Sequence, residues 1–328
     1  MASTKKIRLG IVGYGNLGRG VELAVKQNPD TELVAIFTRR DPGSIQGTQT
    51  SVVSIDDVSE YQDKIDVMIL CGGSAKDLPK QTPPLATLFN TVDSFDNHNH
   101  IPEYFAAVDE SAMLHGHLSL ISTGWDPGLF SMARVLGESV IPEGDTYTFW
   151  GKGVSQGHSD AIRRVNGVKN GIQYTVPNED ALSKVRSGNR PELTTAQKHK
   201  RVCYIVAEPG ADLAQIEQDI KTMPDYFEPY HTEVNFITEE ELKKSHSAMP
   251  HGGIVMRSGV SGVGTVQHFE FGLNLGSNPE FTSSVLLAFA RAVYRLSQEG
   301  RVGAVTVFDV PLAYLSSKSP EELRKHFL

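Results

Sequence analysis

Residues 7–18 read IRLGIVGYGNLG, an apolar run followed at once by three spaced glycines. A short continuous apolar run of this kind is typical of a strand buried in a parallel sheet. The glycines fit the pattern G-x-G-x-x-G, which permits a tight turn and a close approach of backbone to a pyrophosphate at a helix N-terminus. The alternative is a glycine turn that binds nothing. We predict a dinucleotide-binding turn formed by Gly13, Tyr14, Gly15, Asn16, Leu17 and Gly18.

Strands and helices alternate along the first part of the chain. Strands are predicted at 7–12, 32–37, 67–71, 91–95 and 118–122, and helices at 17–26, 85–90 and 102–116. This alternation indicates βαβ units and a parallel sheet. After residue 128 the sequence changes to five strand-like runs with one helix, at 213–221, among them, and a long helix follows at 279–298.

These patterns predict an α/β protein with a Rossmann-type doubly wound parallel sheet and a second, mixed α/β domain. We place the dinucleotide-binding domain at 1–124 and the second domain at 125–278. The segment 279–328 is expected to return to the dinucleotide-binding domain, because its long helix carries apolar residues at helical spacing.

The end of the second strand predicts which nicotinamide cofactor binds. NAD-selective proteins place an acidic residue there to hydrogen-bond the ribose 2′-OH, but this chain has Thr38-Arg39-Arg40. Two guanidiniums and a hydroxyl suit a 2′-phosphate, although a solvated arginine pair is the alternative. NADP is therefore the expected cofactor. Cys71-Gly72-Gly73-Ser74 ends a later strand at the same edge, where small residues would let the dinucleotide pass over the sheet.

Composition excludes several classes of partner. A net charge of -8 over 328 residues argues against a nucleic-acid surface. We also expect no signal peptide and no membrane span, because no apolar segment reaches about 20 residues. The two cysteines, Cys71 and Cys203, are far apart and lie in apolar runs. Free buried thiols, no metal and a cytoplasmic location are the expectation.

Three stretches combine polar groups with glycine or aromatic residues: 93–98, 122–128 and 150–160. The first two follow strands of the nucleotide domain, where open α/β sheets place their ligands. Carboxylates beside aromatic side chains suit an ammonium ion held near a nicotinamide ring. For Asp93 a turn or helix cap is the preferred interpretation.

The same stretches resemble the meso-diaminopimelate dehydrogenase family, and the likeness covers most of the chain. It is carried by VGYGNLG at 12–18, by TVD and DNH within 91–98, by STGWDPG at 122–128 and by SQGHSD at 155–160. It continues with KR at 200–201, TMPDYF at 222–227, VNFI at 234–237, MPHGG at 249–253 and NP at 278–279. The loop 41–51 is the part that looks variable.

The resemblance implies an NADP-dependent amino-acid dehydrogenase of lysine and cell-wall precursor synthesis. The D-centre of meso-2,6-diaminopimelate would be oxidised to an imine, and water would then release ammonia and L-2-amino-6-oxopimelate. It also implies a homodimer, with 125–278 as the substrate-binding and dimerisation domain. The implied substrate contacts are Asp96, Trp125, Asp126 and Trp150 at the reacting centre, Gln156 and Gly157 on the carboxylate side, and Thr175, Arg201, His251 and Asn278 at the distal L-centre.

Elementary chemistry agrees with these implied roles. Arg201 can bind a carboxylate through two parallel hydrogen bonds, and His251 lies in a glycine-flanked loop from which it can donate; a surface charge and an ordinary loop histidine are the alternatives. Hydride departure requires a neutral amine, so a proton must first leave the ammonium. Asp126 or Asp96 is the candidate acceptor, directly or through one water.

Three other functions fit parts of the pattern. A semialdehyde or imine reductase would use the same scaffold without a second ammonium site. An NADP-sensing binding protein would lack paired carboxylates and the Arg/His end. A metal site within 96–100, DNHNH, is the third alternative, and a chelator assay would test it.

Overall fold

The computed structural model describes residues 5–224 and 226–328. Asp225, which belongs to the TMPDYF string of the resemblance, lies outside these residues, as does the N-terminal segment 1–4. The chain divides into two compact units, and the first comprises Met1–Met132 and Pro279–Leu328. The second is Ala133–Asn278. No helix in the described ranges is both long and apolar enough to cross a membrane.

The first unit contains a seven-stranded parallel sheet. Its strands are β1 (Ile7–Val12), β2 (Thr31–Thr38), β3 (Val52–Ser54), β4 (Val67–Leu70), β5 (Thr91–Asp93), β6 (Leu118–Leu120) and β14 (Gly303–Val305), in the order β14-β6-β5-β4-β1-β2-β3. The helices are α1 (Asn16–Gln27), α2 (Leu78–Ala86), α3 (Ile101–His115), α10 (Asn278–Gln298) and α11 (Pro320–Phe327), and α4 (Leu129–Val140) runs across the boundary. The C-terminal segment joins this sheet, because β14 pairs with β6.

Helices cover both faces of this sheet. On one face α1 and α10 contribute side chains such as Val21 and Phe289, and on the other α2 and α3 contribute Leu78 and Val108. Consecutive residues of β1 point into the two different cores, Ile11 into the first and Val12 into the second. A strand buried on both faces is mostly apolar, as 7–12 is apart from the half-buried Arg8, and the doubly wound prediction is confirmed.

The second unit contains two smaller sheets. The strands are β7 (Glu143–Trp150), β8 (Gly153–Val154), β9 (Val168–Pro177), β10 (His199–Ala207), β11 (Thr232–Phe236), β12 (His251–Ser261) and β13 (Thr265–Leu275). They form a mixed sheet β11-β10-β9-β8 and an antiparallel sheet β13-β12-β7. The helices are α5 (Gln156–Ile162), α6 (Glu179–Arg186), α7 (Thr195–Lys198), α8 (Leu213–Lys221) and α9 (Glu239–His246). The expected mixed α/β architecture is confirmed.

Two local predictions were wrong. The helix predicted at 85–90 is α2, which begins at Leu78, has a proline in its first turn and contains Pro83 and Pro84. The prolines hide its helical pattern, because proline in a helix interior is ordinarily disfavoured. The prediction of a single helix, α8, among the strands of the second unit was also wrong. Helices α6 and α9 have eight residues each and begin at the side-chain caps Asn178 and Thr238, but they are too short and polar for apolar periodicity to reveal them.

Candidate active site

The predicted glycine motif forms the turn between β1 and α1. Gly13 has a φ of +93°, a conformation that side chains disfavour. A Cβ atom at Gly18 would lie 2.1 Å from the carbonyl oxygen of Gly13, whereas one at Gly15 would meet no atom within 4 Å. Gly13 and Gly18 thus permit the turn and its close packing. Gly15 leaves the backbone open to a ligand at the N-terminus of α1.

A pocket of about 240 Å³ lies beside this turn, at the carboxyl ends of β1, β2 and β4. Its lining residues are Val12, Gly13, Tyr14, Gly15, Phe37, Thr38, Arg39, Arg40, Ile55, Cys71, Gly72, Asp77 and Gln81. The structure therefore brings together the three segments that were predicted to bind the dinucleotide. Other predicted cofactor residues are next to these in the chain without lining the pocket: Asn16, Leu17, Gly18, Gly73 and Ser74.

The two predicted phosphate-binding arginines have different partners. Arg40 donates from Nη2 to the carbonyl oxygen of Tyr14 at 3.2 Å. Arg39 forms an ion pair with Asp77, with 2.8 Å between Nη2 and Oδ1, and its side chain is 62% exposed. A hydrogen bond from the backbone of Gly73 and the ion pair with Arg39 lower the pKa of Asp77. Sequence reasoning missed Asp77, because this acid follows β4 and the selectivity rule concerns β2.

A buried carboxylate on α1 accepts a hydrogen bond from the glycine turn. Glu22 is 3% exposed and accepts hydrogen bonds from the hydroxyls of Tyr14 and Thr48, the latter at 3.0 Å. Burial acts to raise the pKa of Glu22, but the hydrogen bonds from Tyr14, Lys26 and Thr48 outweigh it and the pKa is lowered. Glu22 therefore connects the loop 41–51 to the turn.

The segment after β4 supplies glycines and an inert thiol. A Cβ at Gly72 would lie 2.7 Å from Oε1 of Gln81, an oxygen that is buried without a hydrogen-bond partner among the described residues. Burial raises the pKa of the Cys71 thiol to about 12, so at neutral pH it is not a nucleophile. The hydroxyl of Ser74 accepts the backbone N–H of Asp96 at 3.2 Å and so links this segment to the next.

The two predicted catalytic carboxylates follow neighbouring strands. Asp96 comes after β5 and is exposed, and Asp126 comes after β6 and is half-buried. Between β6 and Asp126, Trp125 is 9% exposed and its ring meets Phe130 edge to face at 5.3 Å. Both carboxylates therefore lie beyond the same edge of the sheet as the cofactor pocket, as the sequence predicts.

In the second unit, Arg201 on β10 is a buried cation, 7% exposed. Its Nη1 donates to the hydroxyl of Thr175 on the adjacent strand β9, and its guanidinium lies 3.9 Å from the centroid of the Tyr230 ring. Nε has no hydrogen-bond partner, and no carboxylate of the described residues forms an ion pair with Arg201. Burial lowers its pKa. A buried cation without a counter-ion is costly, and this arrangement suits an anionic ligand.

Trp150, at the end of β7, is oriented by His199. The backbone N–H of Trp150 donates to Nε2 of His199 at 2.8 Å, and the two rings stack with centroids 5.3 Å apart. Nδ1 lies 3.0 Å from the carbonyl oxygen of Thr195, so the neutral ring carries its proton on Nδ1. Burial lowers the pKa of His199 to about 4. Sequence reasoning missed His199, because a histidine within a strand carries no motif.

The other predicted substrate residues also lie in the second unit. Nδ1 of His251 lies 2.8 Å from the backbone nitrogen and 3.2 Å from the carbonyl oxygen of the next residue. The side-chain amide of Gln156 contacts Sδ of Met249 at 3.5 Å, and the backbone N–H of Asn278 donates to the carbonyl oxygen of Met249 at 2.9 Å. A Cβ at Gly157 would meet no atom within 4 Å, so its backbone is open to a ligand.

The segment 96–100 gives no support to the metal alternative. Nδ1 of His100 lies 3.6 Å from Oε2 of Glu103. Within residues 5–224 and 226–328 no three metal-binding side chains come together.

The two units offer different chemical groups to a ligand. The first unit presents Asp96 and Asp126, acceptors for an ammonium. The second presents Arg201 and His251, donors for a carboxylate.

Known proteins are similar to this chain over nearly its whole length. The family model described as the diaminopimelic acid dehydrogenase C-terminal domain matches residues 124–277. The meso-diaminopimelate D-dehydrogenase of Ureibacillus thermosphaericus is 63% identical over 98% of this chain and 99% of the relative. The solved C. glutamicum DAP dehydrogenase in complex with DAP has a TM-score of 0.89, with 47% identity over 99% of this chain and 100% of that chain.

A second solved structure is an engineered D-amino acid dehydrogenase bound to NADP+. Its TM-score is 0.84, and it is 45% identical over 99% of this chain and 100% of that chain. Sequence identity of this extent over nearly whole chains agrees with the observed fold and with the residues that line the pocket. The chain belongs to the meso-diaminopimelate dehydrogenase family.

Proposed function

We propose that the chain is an NADP-dependent amino-acid dehydrogenase that acts on meso-2,6-diaminopimelate. It reversibly oxidises the D-centre and yields L-2-amino-6-oxopimelate, ammonia and NADPH, in the synthesis of lysine and cell-wall precursors. The names of the full-length relatives support this activity. The complexes solved with DAP and with NADP+ support the substrate and the cofactor.

The observation that carries the proposal is the buried guanidinium of Arg201. A guanidinium held by Thr175 and Tyr230, with Nε unpartnered among the described residues, is preorganised to bind a carboxylate. We assign it the carboxylate of the distal L-centre, together with His251 and Asn278. Gln156 and Gly157 would contact the carboxylate side of the substrate.

The residues around the glycine turn fit NADP. The open backbone at Gly15 accommodates a pyrophosphate, and Arg39 and Arg40 are the donors for a 2′-phosphate. Asn16, Leu17 and Gly18 extend the turn into α1, and 71–74 line or adjoin the opposite wall. Bound NADP+ supplies the hydride acceptor.

Proton transfer and positioning fall to the chain's own side chains. We assign Asp126 and Asp96 to the ammonium of the reacting centre, from which one of them accepts a proton before hydride departure. Trp125 and Trp150 pack around this centre. Trp150 is held through His199, whose depressed pKa keeps the ring neutral and able to accept the Trp150 N–H.

We also propose that the first unit binds the cofactor, and that the second unit carries the contacts to the distal end of the substrate and forms a homodimer. The second unit has features that favour self-association: β13 is an edge strand, and Leu136 and Val140 on α4 are 54% and 57% exposed. A cytoplasmic location is supported by Cys71 and Cys203, both free. Light scattering on purified protein at several concentrations tests the dimer.

The decisive experiment follows NADPH absorbance with meso-, LL- and DD-diaminopimelate, each with NADP and with NAD. We expect turnover with the meso form and NADP, and ammonia release equal to the NADPH formed. Reduction of a carbonyl substrate without ammonia would favour the reductase alternative. Tight NADPH binding with no turnover on any isomer would favour a sensor.

A further inference from the structure

Asp93, the last residue of β5, is fully buried and accepts hydrogen bonds from two separate backbone segments. Its Oδ1 accepts the N–H of Phe95 at 3.0 Å and the N–H of Ser122 at 3.1 Å. Its carbonyl oxygen accepts the N–H of Thr123 at 2.9 Å. One residue therefore joins the segment that leads to Asp96 with the segment that leads to Asp126.

The other carboxylate oxygen of Asp93 is held by two hydroxyls. Oδ2 accepts from Tyr104 on α3 and from Thr82 on α2, and the Tyr104 hydroxyl also contacts that of Thr82. The Tyr104 ring stacks on Phe95 with centroids 4.1 Å apart. We call Asp93 with Thr82, Phe95, Tyr104, Ser122 and Thr123 the Asp93 network.

The Asp93 network includes a residue, Ser122, with a strained backbone conformation. Ser122 has a φ of +56°, in the left-handed region that side chains disfavour. Its side chain offers no compensation, because its hydroxyl is buried without a partner among the described residues. The hydrogen bond from its N–H to Asp93 is a contact that favours this conformation, and the chain continues from there to Trp125 and Asp126.

We propose that Asp93 is a positioning residue, which fixes the segments bearing Asp96 and Asp126 relative to each other. This inference rests on the proposed function, because the two carboxylates matter only if they handle the substrate ammonium. Asp93 is fully buried, so its side chain has no exposed surface for a ligand to contact. A displacement of about 1 Å near reacting groups can cost roughly a hundredfold in rate, so a small shift of either segment is enough to matter.

The test compares Asp93→Ala with the isosteric Asp93→Asn. The alanine variant loses every side-chain hydrogen bond, whereas asparagine keeps an oxygen for the two N–H donors and offers an amide to the two hydroxyls. We expect Asp93→Ala to lower kcat by about thirtyfold to a hundredfold, with the KM for the substrate and the Kd for NADPH within about threefold. Asp93→Asn should recover most of the kcat.

A second readout does not need activity. The chain has two tryptophans, so in a Trp150→Phe background the fluorescence reports Trp125 alone. We expect Asp93→Ala to shift its emission to the red and to increase quenching by acrylamide, and Asp93→Asn to leave both unchanged. Adding Ser122→Gly to Asp93→Ala should restore part of the kcat, because glycine adopts the left-handed conformation without penalty.

Three results would overturn the inference. They are a folded Asp93→Ala variant with wild-type kcat and Trp125 emission, an Asp93→Asn variant as impaired as Asp93→Ala, and losses of kcat and NADPH affinity in equal measure. If Asp93→Ala does not fold, Tyr104→Phe takes its place: a lowered kcat with unchanged NADPH affinity supports the inference, and an unchanged kcat overturns it. An inactive wild-type protein would instead refute the proposed function, and the Trp125 readout would still decide the role of Asp93.

Discussion

Replacing Arg201 by methionine separates a ligand-binding role from a structural one. Methionine has a comparable length and no charge, so it fills the space between Thr175 and Tyr230 while removing the guanidinium. If Arg201 binds a substrate carboxylate, the variant loses affinity. If Arg201 merely supports the fold, the variant loses stability. The two interpretations therefore predict changes in different measured quantities.

The expected loss of affinity follows from the hydrogen bonds that the guanidinium can donate. Hydrogen bonds to charged groups contribute about 1.5–3 kcal/mol, and tenfold in affinity is about 1.4 kcal/mol, so binding should weaken roughly 10- to 150-fold. The loss should appear mainly in KM, because in the proposed binding mode Arg201 contacts the end of the substrate remote from the reacting carbon.

Although Arg201→Met is expected to weaken substrate binding, it is not expected to lower the stability of the free protein. The wild-type protein without substrate holds a guanidinium that is 7% exposed and has no ion pair with a described carboxylate. Removing it relieves a desolvation cost of several kcal/mol. The contact with Tyr230 and the hydrogen bond to Thr175 are lost, at about 2 kcal/mol and about 1.5–3 kcal/mol. The free energy of unfolding should therefore stay equal or rise.

The assay pairs steady-state kinetics with thermal unfolding, with and without meso-diaminopimelate. Wild-type Tm should rise with substrate, and Arg201→Met should have an equal or higher Tm that responds far less to substrate. Arg190→Met is the matched control, because Arg190 belongs to the same unit and its side chain is 42% exposed; neither KM nor Tm should change. A variant with a lowered Tm and an unaltered KM would refute the assignment.

Three further outcomes are expected. Asp126→Asn should lose most of its turnover while its Kd for NADPH is unchanged; near-normal turnover would contradict its role as proton acceptor. Arg39→Ala and Arg40→Ala should each raise the KM for NADP by roughly tenfold and leave the weaker use of NAD unchanged, because only the 2′-phosphate contact is lost. Burial lowers the pKa of His158 and His199 to about 4, from the ordinary histidine value of 6.5. The unfolded chain therefore binds more protons between these values, so Tm should fall as pH drops from about 7 to about 4.5, and less steeply in His199→Gln.

The sequence predicts the parts of this protein that depend on local chemistry. Consecutive residues show a pattern where a strand is buried on both faces and where a turn requires glycine. Residues 7–18 therefore predict the first domain and the edge of its sheet at which the cofactor pocket lies. Thr38-Arg39-Arg40 likewise predicts two guanidiniums at the pocket. The exact position of α2 was missed because its prolines have a low helix propensity. Tertiary packing nevertheless folds this segment as a helix.

Residues that act through distant partners could not be predicted. His199 orients Trp150 from a position 49 residues away, and Asp93 accepts the N–H of Ser122 across 29 residues. Neither hydrogen bond corresponds to a periodic pattern or a motif in the sequence, because each forms only when distant strands come together in the folded protein. The resemblance names groups that would touch substrate, but it does not say which side chains hold those groups in place.

The charged groups assigned to the substrate differ in how firmly they are held. Arg201 is buried between a hydroxyl and an aromatic ring, so its position is fixed before any ligand arrives, whereas Asp96 is exposed and Asp126 half-buried. Interactions with a remote part of a substrate can contribute to orientation at the reacting carbon. A fixed cation for the distal carboxylate serves that purpose, and its burial without a described counter-ion lowers the stability of the free protein. These two less buried carboxylates need another means of alignment, and in the proposed role of Asp93 the hydrogen bonds that it accepts from both of their segments supply it.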